Sequence, residues 1–560
     1  MASKNSREAA KQAAQSGTMT HRQILVVLVG LMSGMFLAAL DQSVVSSAMR
    51  TIADDLDGLA LQAWATTAYL ITSTISTPIY SKLGDIFGRR PLFLTAIGIF
   101  IVGSAATGFA ATMFDLAMFR AIQGLGAGGL FSLALTIVAD IVPPRERARY
   151  QGLFLAVFGT SSVAGPVIGG AFAGVNEILF LEGWRWVFLM NLPIGAVSLF
   201  MVLTFLHIPH NPNKQKIDWW GAVTIILGVV PILLVAEQGR EWGWGSPLSI
   251  AMYVTAAAGI TAFIFIEKKM GDSALIPLKL FKQQTFARTQ ILGFIIGIGM
   301  FGGMITLPLI LQVVYGADPT QAGLLMLPMV AGLMTASIVS GRLMSKTGHY
   351  RVFFNLGSGL LLVGYTYLLL VMQADTPIWI VSVGMVIIGL GLGQLMQTTT
   401  VATQNAVDGK NIGVATGSIT FFRQMGGTFG VAVFMSILFS QLTSKVVASF
   451  ESPEVRAGIA SVMSDREALA EPANQAILKI LQSGNAGAGE ITVDSSFLIG
   501  ADDRLTLPFR MGFIDSSLSV FLIATIFVGV AFVISFFIKE IPLRDKSASQ
   551  EAAGAAGMSH

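Results

Sequence analysis

Cysteine is absent from this 560-residue chain, and charged residues make up only 12% of it. The lack of cysteine excludes disulfides, thiolate metal sites and cysteine nucleophiles. Histidine is scarce as well: the chain has five, and no two have the spacing of metal ligands. A Walker-type phosphate loop, Gly-x4-Gly-Lys-Ser/Thr, is also missing, which argues against ATP-driven work by this chain. We therefore expect no metal and no other cofactor.

Long apolar segments are the most abundant feature of the chain. Apolar residues make up 53% of it and fall into fourteen long segments separated by short polar loops. A soluble protein could not hide that much apolar surface from water, whereas about 20 apolar residues in a helix span a hydrocarbon core roughly 30 Å thick. The sequence therefore predicts an all-α polytopic membrane protein with fourteen transmembrane helices. The first apolar run has no cleavage site after it, so we expect it to be a retained helix.

Lysine and arginine set the orientation of these helices. Of the 35 residues of these two types, 24 fall in the two tails and in alternate loops, while the opposite short loops carry only Arg50, Arg185 and Arg240. Both termini are therefore predicted to be cytoplasmic, in a multi-pass protein of the cell membrane (plasma or inner). Because the positive charges follow the topology and form no separate binding face, we expect no nucleic-acid partner.

Two long loops on the basic side divide the chain into six helices, two helices and six helices. The predicted parts are a cytoplasmic tail (1–23), an N-terminal six-helix bundle (24–206), two additional transmembrane helices (219–267), a C-terminal six-helix bundle (289–539) that includes a long extracytoplasmic loop (441–515), and a cytoplasmic tail (540–560). Each bundle has a basic turn between its second and third helices. Such a weak repeat is expected when two bundles rock about a site at the membrane midplane.

The loop at 441–515 is the one long hydrophilic segment between helices. Ala476–Leu481 has an apolar stripe at helical spacing, which predicts a short helix on the outer face. From the sequence, the loop could be either a disordered tether or a gate or partner site.

The turn between the second and third helices combines glycines with charged side chains: Gly84, Asp85, Gly88, Arg89 and Arg90. The glycines permit a tight turn, and the carboxylate can accept hydrogen bonds from a helix N-terminus or from an arginine. The segment resembles the cytoplasmic signature between helices 2 and 3 of the major facilitator superfamily, although Ser81 and Ile86 depart from the family pattern. The resemblance implies a conformational latch that forms in one access state. The alternative is a solvated, positive-inside turn.

The fifth helix carries closely spaced glycines around a proline: Gly159, Gly165, Pro166, Gly169 and Gly170. Such glycines let helices approach closely, and the proline bends its helix. The segment resembles the motif of antiporter-type exporters in the same superfamily. Similar matches occur at Leu40-Asp41, at Arg120–Gly124 and at Phe421–Gly427. Together they are similar to the fourteen-helix drug/proton antiporter branch.

Asp41 and Arg120 place charges inside the bilayer. If the first helix begins at Ile24, Asp41 lies about 26 Å from the inner edge, and Arg120 lies about 9 Å from the outer edge. The resemblance implies that both face a central cavity and couple transport to protons, since a charged, unpaired carboxylate there costs several kcal/mol and its protonation responds to access. The alternatives are a water-exposed cap for Asp41 and a snorkelling side chain for Arg120.

Polar and aromatic residues of the second bundle are candidates for a substrate pocket: Gln312, Gln394, Gln397, Phe421, Phe422, Arg423 and Gln424. Arg423 could bind a substrate or hold a helix carbonyl, and each glutamine on helices 9 and 12 could equally join two helices. Exporters of this branch often carry an acid in the second bundle, whereas helices 9 to 13 have none here. That difference argues against a dicationic substrate and favours lipophilic or lipid-like compounds.

The resemblance implies proton-coupled antiport of amphipathic small molecules, that is, multidrug efflux by alternating access. The expected partners are a lipophilic substrate, protons and membrane lipids, and the expected state is a monomer. The alternative on the same scaffold is a flippase or exporter for lipids or cell-envelope precursors. A membrane-embedded enzyme would need His, Asp or Ser groups clustered at one membrane face. Because the sequence shows no such cluster, we predict no catalytic residue and no enzyme.

Overall fold

A computed structural model describes residues 21–56, 61–206, 216–482, 498 and 500–543. The N-terminal bundle consists of α1 (His21–Asp55), α2 (Gln62–Phe87), α3 (Arg89–Gly108), α4 (Met113–Ile141), α5 (Pro144–Ala173), α6 (Trp186–Leu189) and α7 (Asn191–Phe205). A short antiparallel hairpin of β1 (Glu177–Ile178) and β2 (Leu181–Glu182) lies between α5 and α6. The predicted tails, 1–23 and 540–560, lie mostly outside the described residues.

Two additional helices and a second bundle follow. The additional pair is α8 (Trp219–Trp242) and α9 (Pro247–Met270); the C-terminal bundle is α10 (Gln284–Val313), α11 (Pro319–Leu325), α12 (Leu327–Thr347), α13 (Arg351–Val371), α14 (Ile378–Asn405), α15 (Ile412–Ser449) and α19 (Asp503–Phe536). Between the last two lie α16 (Pro453–Met463), α17 (Arg466–Ala470) and α18 (Gln475–Gln482).

The helix lengths match a membrane. Within the described residues, thirteen segments are long and apolar enough to cross one. The fourteenth crossing is α2, which is 26 residues long but rich in Ser and Thr, side chains that lower its hydropathy. Inside the bundle these hydroxyls are satisfied locally, as when the Thr77 hydroxyl donates to the Ser73 carbonyl at 2.9 Å. The predicted all-α membrane protein with fourteen crossings is confirmed.

Several helix boundaries differ from those expected from the sequence. The predicted loop 441–515 is helical at both ends, because α15 continues to Ser449 and α19 begins at Asp503. The reason is packing: a Cβ placed on Gly512 of α19 would lie 2.5 Å from Cγ2 of Val446, so the two helices run against each other well beyond the predicted spans. One of the fourteen predicted membrane segments is divided into α11 and α12, since Pro328 lies in the first turn of a new helix.

The three short helices after α15 form a folded cap on one end of the C-terminal bundle. Val462, Ile477 and Leu478 are buried in the same hydrophobic core as Leu505 and Phe509 of α19. The apolar stripe predicted at 476–481 thus belongs to a real helix, α18. Residues 453–482 are therefore folded against the bundle, so a disordered tether does not describe this part of the loop.

Charged groups fasten the cap to α19. The Arg504 guanidinium lies 2.6 Å from an Asp502 oxygen and 3.3 Å from an Asp465 oxygen. The hydrogen bond from Arg504 lowers the pKa of Asp502. The pKa of Asp465 is lowered chiefly by the Ala468 backbone N–H, and also by Arg504. Both carboxylates therefore help to hold the cap at pH values above their ordinary pKa, and this contribution is lost as acid protonates them.

Candidate functional site

A cavity lies between the two bundles and is lined by residues of both. Eight of the 22 residues that line it are aromatic or methionine: Met35, Tyr69, Phe131, Phe154, Phe158, Met300, Phe301 and Met396. Amide and hydroxyl groups are spaced between them, among them Gln42, Gln151, Gln397, Thr400, Gln424 and Thr428. Arg423 contributes a guanidinium. Such a wall suits a molecule with a large apolar body and a few polar groups.

Beside the cavity, Asp41 of α1 and Arg120 of α4 form an ion pair inside the N-terminal bundle. The Asp41 carboxylate also accepts hydrogen bonds from Gln123 Nε2 at 2.8 Å and from Asn191 Nδ2 at 2.7 Å. Arg120 in turn donates to Gln123 Oε1 at 2.8 Å. The carboxylate is thus surrounded by hydrogen-bond donors from two other helices.

The structure corrects the expected surroundings of this pair. Asp41 and Arg120 are each only 1% exposed, and neither lines the cavity. Because α1 continues to Asp55, Asp41 lies within the helix and not near its end, so it is not a water-exposed cap. Burial of Arg120 likewise excludes a snorkelling side chain. Tyr69 is the link to the cavity, since it lines the cavity and its ring centroid lies 4.1 Å from Cζ of Arg120.

The predicted latch residues lie at the end of the bundles that holds the α2–α3, α4–α5, α12–α13 and α14–α15 turns, called here the basic end. Arg89 pairs with Asp85 and, through Nε, with an oxygen of Asp140 at 3.0 Å. Gly88 has φ +95°, a backbone conformation that side chains rarely permit, so the tight turn requires glycine. Arg90 lies apart from the ion cluster and donates to the Leu203 carbonyl at 2.6 Å.

This ion cluster lies directly against the second bundle. A Cβ on Gly413 of α15 would lie 2.2 Å from Asp85 Oδ1 and 2.6 Å from Arg89 Nη2, so only glycine fits there. A Cβ on Gly84, by contrast, would meet Arg89 Nη1 and Leu133 Cδ2 at 2.9 Å within the first bundle. The latch residues therefore form part of the contact between the bundles, which a freely solvated turn would not do.

Further bonds close the basic end. Arg147 Nη1 donates to Gln404 Oε1 of the second bundle at 2.9 Å. Arg145 Nε donates to the Ser345 carbonyl at 3.0 Å, and its Nη2 donates to the Lys346 carbonyl at 3.2 Å. The two bundles are thus joined at the basic end in this conformation.

Replacing Asp85 by Asn is expected to shift the conformational balance toward opening at the basic end. Loss of the carboxylate charge weakens its pairing with Arg89 at the bundle contact; a change of about 1 kcal/mol would shift the equilibrium roughly fivefold. A cysteine introduced at the cavity residue Leu155 should then react several times faster with a reagent applied from the basic side. Arg90→Gln is the matched control, because that guanidinium contacts its own bundle. Equal labelling rates in wild type and Asp85→Asn would show that Asp85 does not act as a conformational latch.

The glycine motif on α5 contacts two different partners. A Cβ on Gly165 would lie 2.0 Å from Ser43 Oγ, and one on Gly169 would lie 2.1 Å from Ser47 Oγ, so both face α1 of the same bundle. The other members of the motif face the second bundle. A Cβ on Gly159 would lie 2.6 Å from Val330 Cγ1, and one on Gly170 would lie 3.2 Å from Thr320 Oγ1.

Pro166 of α5 also contacts the second bundle, since a Cβ on Gly323 of α11 would lie 2.9 Å from Pro166 Cγ. The fifth helix therefore packs closely on both bundles, and its motif lies where they meet.

Three of the seven predicted pocket residues line the cavity: Gln397, Arg423 and Gln424. The other four lie elsewhere. Gln394 packs against Gly357 of α13, with its Cβ 3.1 Å from a Cβ built on that glycine. Phe421 and Phe422 belong to a cluster with residues of α2 and α8. Gln312 is half-buried and outside the cavity wall.

Sequence reasoning missed several residues of these networks. Gln123 lies three positions after Arg120, a spacing that puts both on one helix face and could have indicated the contact. Asn191 and Asp140 carried no such signal, because each meets its partner only through the packing of distant helices. Tyr69, which is not among the predicted site residues, joins the ion pair to the cavity.

Two six-helix bundles that enclose a central cavity define the class of this protein: it is a membrane transporter and not an enzyme. The sequence pattern of the Major Facilitator Superfamily matches residues 31–431. The chain belongs to this superfamily, as its motifs predicted.

Relatives of similar length are named as drug transporters. Multidrug transporter protein MdtP of Bacillus subtilis is 33% identical over 543 residues, which cover 96% of this chain and 96% of that protein. Multidrug resistance protein 3 of the same organism is 35% identical over 436 residues, 77% of this chain and 83% of the relative. Among solved structures, a double-Trp mutant of XylE superposes with a TM-score of 0.58 at 13% identity, covering 95% of this chain and 98% of that one. This last likeness concerns the fold alone.

Proposed function

We propose that this protein exports amphipathic small molecules by proton-coupled antiport. The observation that carries the proposal is the position of a buried carboxylate–guanidinium pair, Asp41 and Arg120, directly behind the wall of an apolar cavity. Tyr69 contacts the pair on one side and the cavity on the other. Occupancy of the cavity and protonation of the carboxylate can therefore influence each other.

The coupling follows from charge. While Asp41 is ionised, it neutralises Arg120 and holds Gln123 and Asn191 by hydrogen bonds. A proton on Asp41 removes that negative charge and leaves the guanidinium buried without compensation, which is costly in a low-dielectric interior. The network must then rearrange, and because its members come from α1, α4 and α7, the rearrangement moves helices. Proton binding thereby favours one access state over the other.

The basic end is the cytoplasmic end in this proposal, with both termini inside. The ion cluster of Asp85, Arg89 and Asp140 then helps to close the cytoplasmic side in the described conformation. Opening requires the contacts at Gly413 and Gln404 to separate. The transporter works as a monomer, since one chain contains both bundles and the whole cavity.

Transport by purified protein in liposomes tests this function. Protein is reconstituted with an imposed pH gradient, and the movement of amphipathic dyes and antibiotics is followed. We expect accumulation against a concentration gradient that collapses when a protonophore dissipates the pH gradient. Transport that continues at the same rate without the gradient would contradict proton coupling.

A flippase or exporter for lipids or cell-envelope precursors is the second candidate, and one observation favours it. An apolar groove lies along the contact between α5 and α12, lined by Val163, Val167, Val330 and Met334. It begins at Gly159, directly after the cavity residue Phe158, so a lipid chain in the groove would lie one residue from the cavity wall. Transfer of a fluorescent lipid between leaflets in the same liposomes, without dye transport, would select this candidate.

A further inference from the structure

Arg423 is the only charged residue among the described residues that line the cavity. Its single hydrogen bond in the structure is a long one, from Nη1 to Thr400 Oγ1 at 3.5 Å. Within the part of the chain that the structure describes, no carboxylate forms an ion pair with it. Arg120, the other arginine inside the bilayer, contrasts with it, because Asp41 neutralises that guanidinium.

The backbone beneath Arg423 is fixed. A Cβ on Gly297 of α10 would lie 2.0 Å from the Arg423 carbonyl oxygen, and one on Gly426 would lie 2.0 Å from the Phe294 carbonyl oxygen. The backbones of α10 and α15 therefore touch at Arg423 and again three residues later, at Gly426. The guanidinium is presented from a rigid base, and its planar set of donors is suited to bidentate binding of an oxyanion.

Neighbouring amides add hydrogen-bond donors. The side-chain Oε1 of Gln424 lies 3.1 Å from the Thr77 hydroxyl oxygen, so the amide NH₂ at the other corner of the group lies on the side away from Thr77. Gln424 and Thr400 line the cavity next to Arg423. A cation and an amide donor on one wall, in a cavity without carboxylates among its described lining residues, form a site for negative charge.

We propose that the substrate of this transporter carries an anionic group, a carboxylate, sulfonate or phosphate, that pairs with Arg423. Its apolar body packs against the aromatic and methionine side chains of the cavity. Burial of a guanidinium without a counter-charge is unfavourable, and a bound anion supplies that charge. This inference rests on the proposed function only in that the cavity is taken as the transport site.

Binding to purified protein in zwitterionic nanodiscs tests the inference independently of transport. Three probes of one shape are compared by calorimetry: naphthalene-2-sulfonate, the neutral naphthalene-2-sulfonamide and (naphthalen-2-ylmethyl)trimethylammonium. We expect the sulfonate to bind at least about tenfold more tightly than the neutral sulfonamide. This is the size of effect typical of a charge-assisted hydrogen bond. The cation should bind most weakly.

Substitutions at Arg423 assign the preference to its side chain. Arg423→Gln should remove the preference for the sulfonate while the sulfonamide binds as in wild type, which also shows that the protein is folded. Arg423→Lys should keep part of the preference, because charge remains but the bidentate fork is lost. Arg50→Gln, the same change at an exposed arginine of α1, should leave all three affinities unaltered.

Phosphatidylglycerol in the nanodiscs separates two sources of the anion. Competition with the sulfonate would identify a lipid headgroup as an occupant, and absence of competition would indicate a small organic anion; both outcomes agree with the proposal. Equal affinity for all three probes, tighter binding of the cation, or a sulfonate preference that survives Arg423→Gln would overturn it. If the preference is found but transport is indifferent to the pH gradient, the proposed antiport fails and the anion site stands.

Discussion

Replacement of Asp41 by Asn is expected to reduce pH-gradient-driven accumulation to the level of liposomes without protein. The amide cannot bind or release the proton, so the negative charge beside Arg120 can no longer be switched on and off. Downhill movement of the same substrate should persist at a measurable rate, because Asp41 does not line the cavity. Both quantities are measured in proteoliposomes, with and without the gradient. Asp54→Asn, at an exposed position of the same helix, is the matched control.

The structure also predicts a cost in stability for this variant. Removing one partner of a buried ion pair leaves the other charge uncompensated, typically at about 3 kcal/mol. Asp41→Asn should therefore lower the thermal midpoint, and the double variant Asp41→Asn/Arg120→Gln should recover part of the loss. Because the double variant still lacks the titrating carboxylate, it should remain uncoupled. Recovery of gradient-driven accumulation in the double variant would show that stability, and not proton exchange, caused the defect.

Replacement of Gly165 by Leu is expected to reduce transport by at least about tenfold, because side-chain atoms would be forced into the contact between α5 and α1. The first added atom alone would lie 2.0 Å from Ser43 Oγ and 2.9 Å from the Ser43 carbonyl carbon. It would also disturb the hydrogen bond from Ser43 to the Ser161 carbonyl, which is 2.8 Å long. Initial transport rates, corrected for the amount of reconstituted protein, measure the effect.

Gly98 offers a matched control for this substitution. It lies on the membrane helix α3, and a Cβ there has no neighbouring atom within 4 Å. Gly98→Leu should therefore transport at close to the wild-type rate. If Gly165→Leu is expressed and transports as well as Gly98→Leu, the close approach of α1 and α5 has no part in the mechanism.

The number and type of helices could be predicted because the bilayer imposes a length of apolar chain on each crossing. The side of each helix that faces the cavity could not be predicted from the sequence. A helix surrounded by other helices or by lipid is apolar all round, so its sequence does not mark an inner face. For this reason the expectation that Asp41 and Arg120 both face the cavity was wrong: they pair with each other behind its wall.

The same limit explains why only some of the predicted pocket residues line the cavity. Phe421 to Gln424 are consecutive on α15 and therefore point in different directions. Arg423 and Gln424 reach the cavity, while Phe421 and Phe422 pack toward α2 and α8. The sequence located the turn of α15 that meets the cavity, and only the arrangement of neighbouring helices decides which of its side chains line that cavity.

Proton movement during transport by wild-type and Asp41→Asn protein tests the central claim most directly. Liposomes are loaded with a pH-sensitive dye, substrate is added on one side without an imposed gradient, and the internal pH is followed. The account predicts that in wild type protons move opposite to the substrate, and that in Asp41→Asn the substrate moves without them. Substrate transport by wild type without a pH change, or an unaltered proton counterflow in Asp41→Asn, would contradict the account.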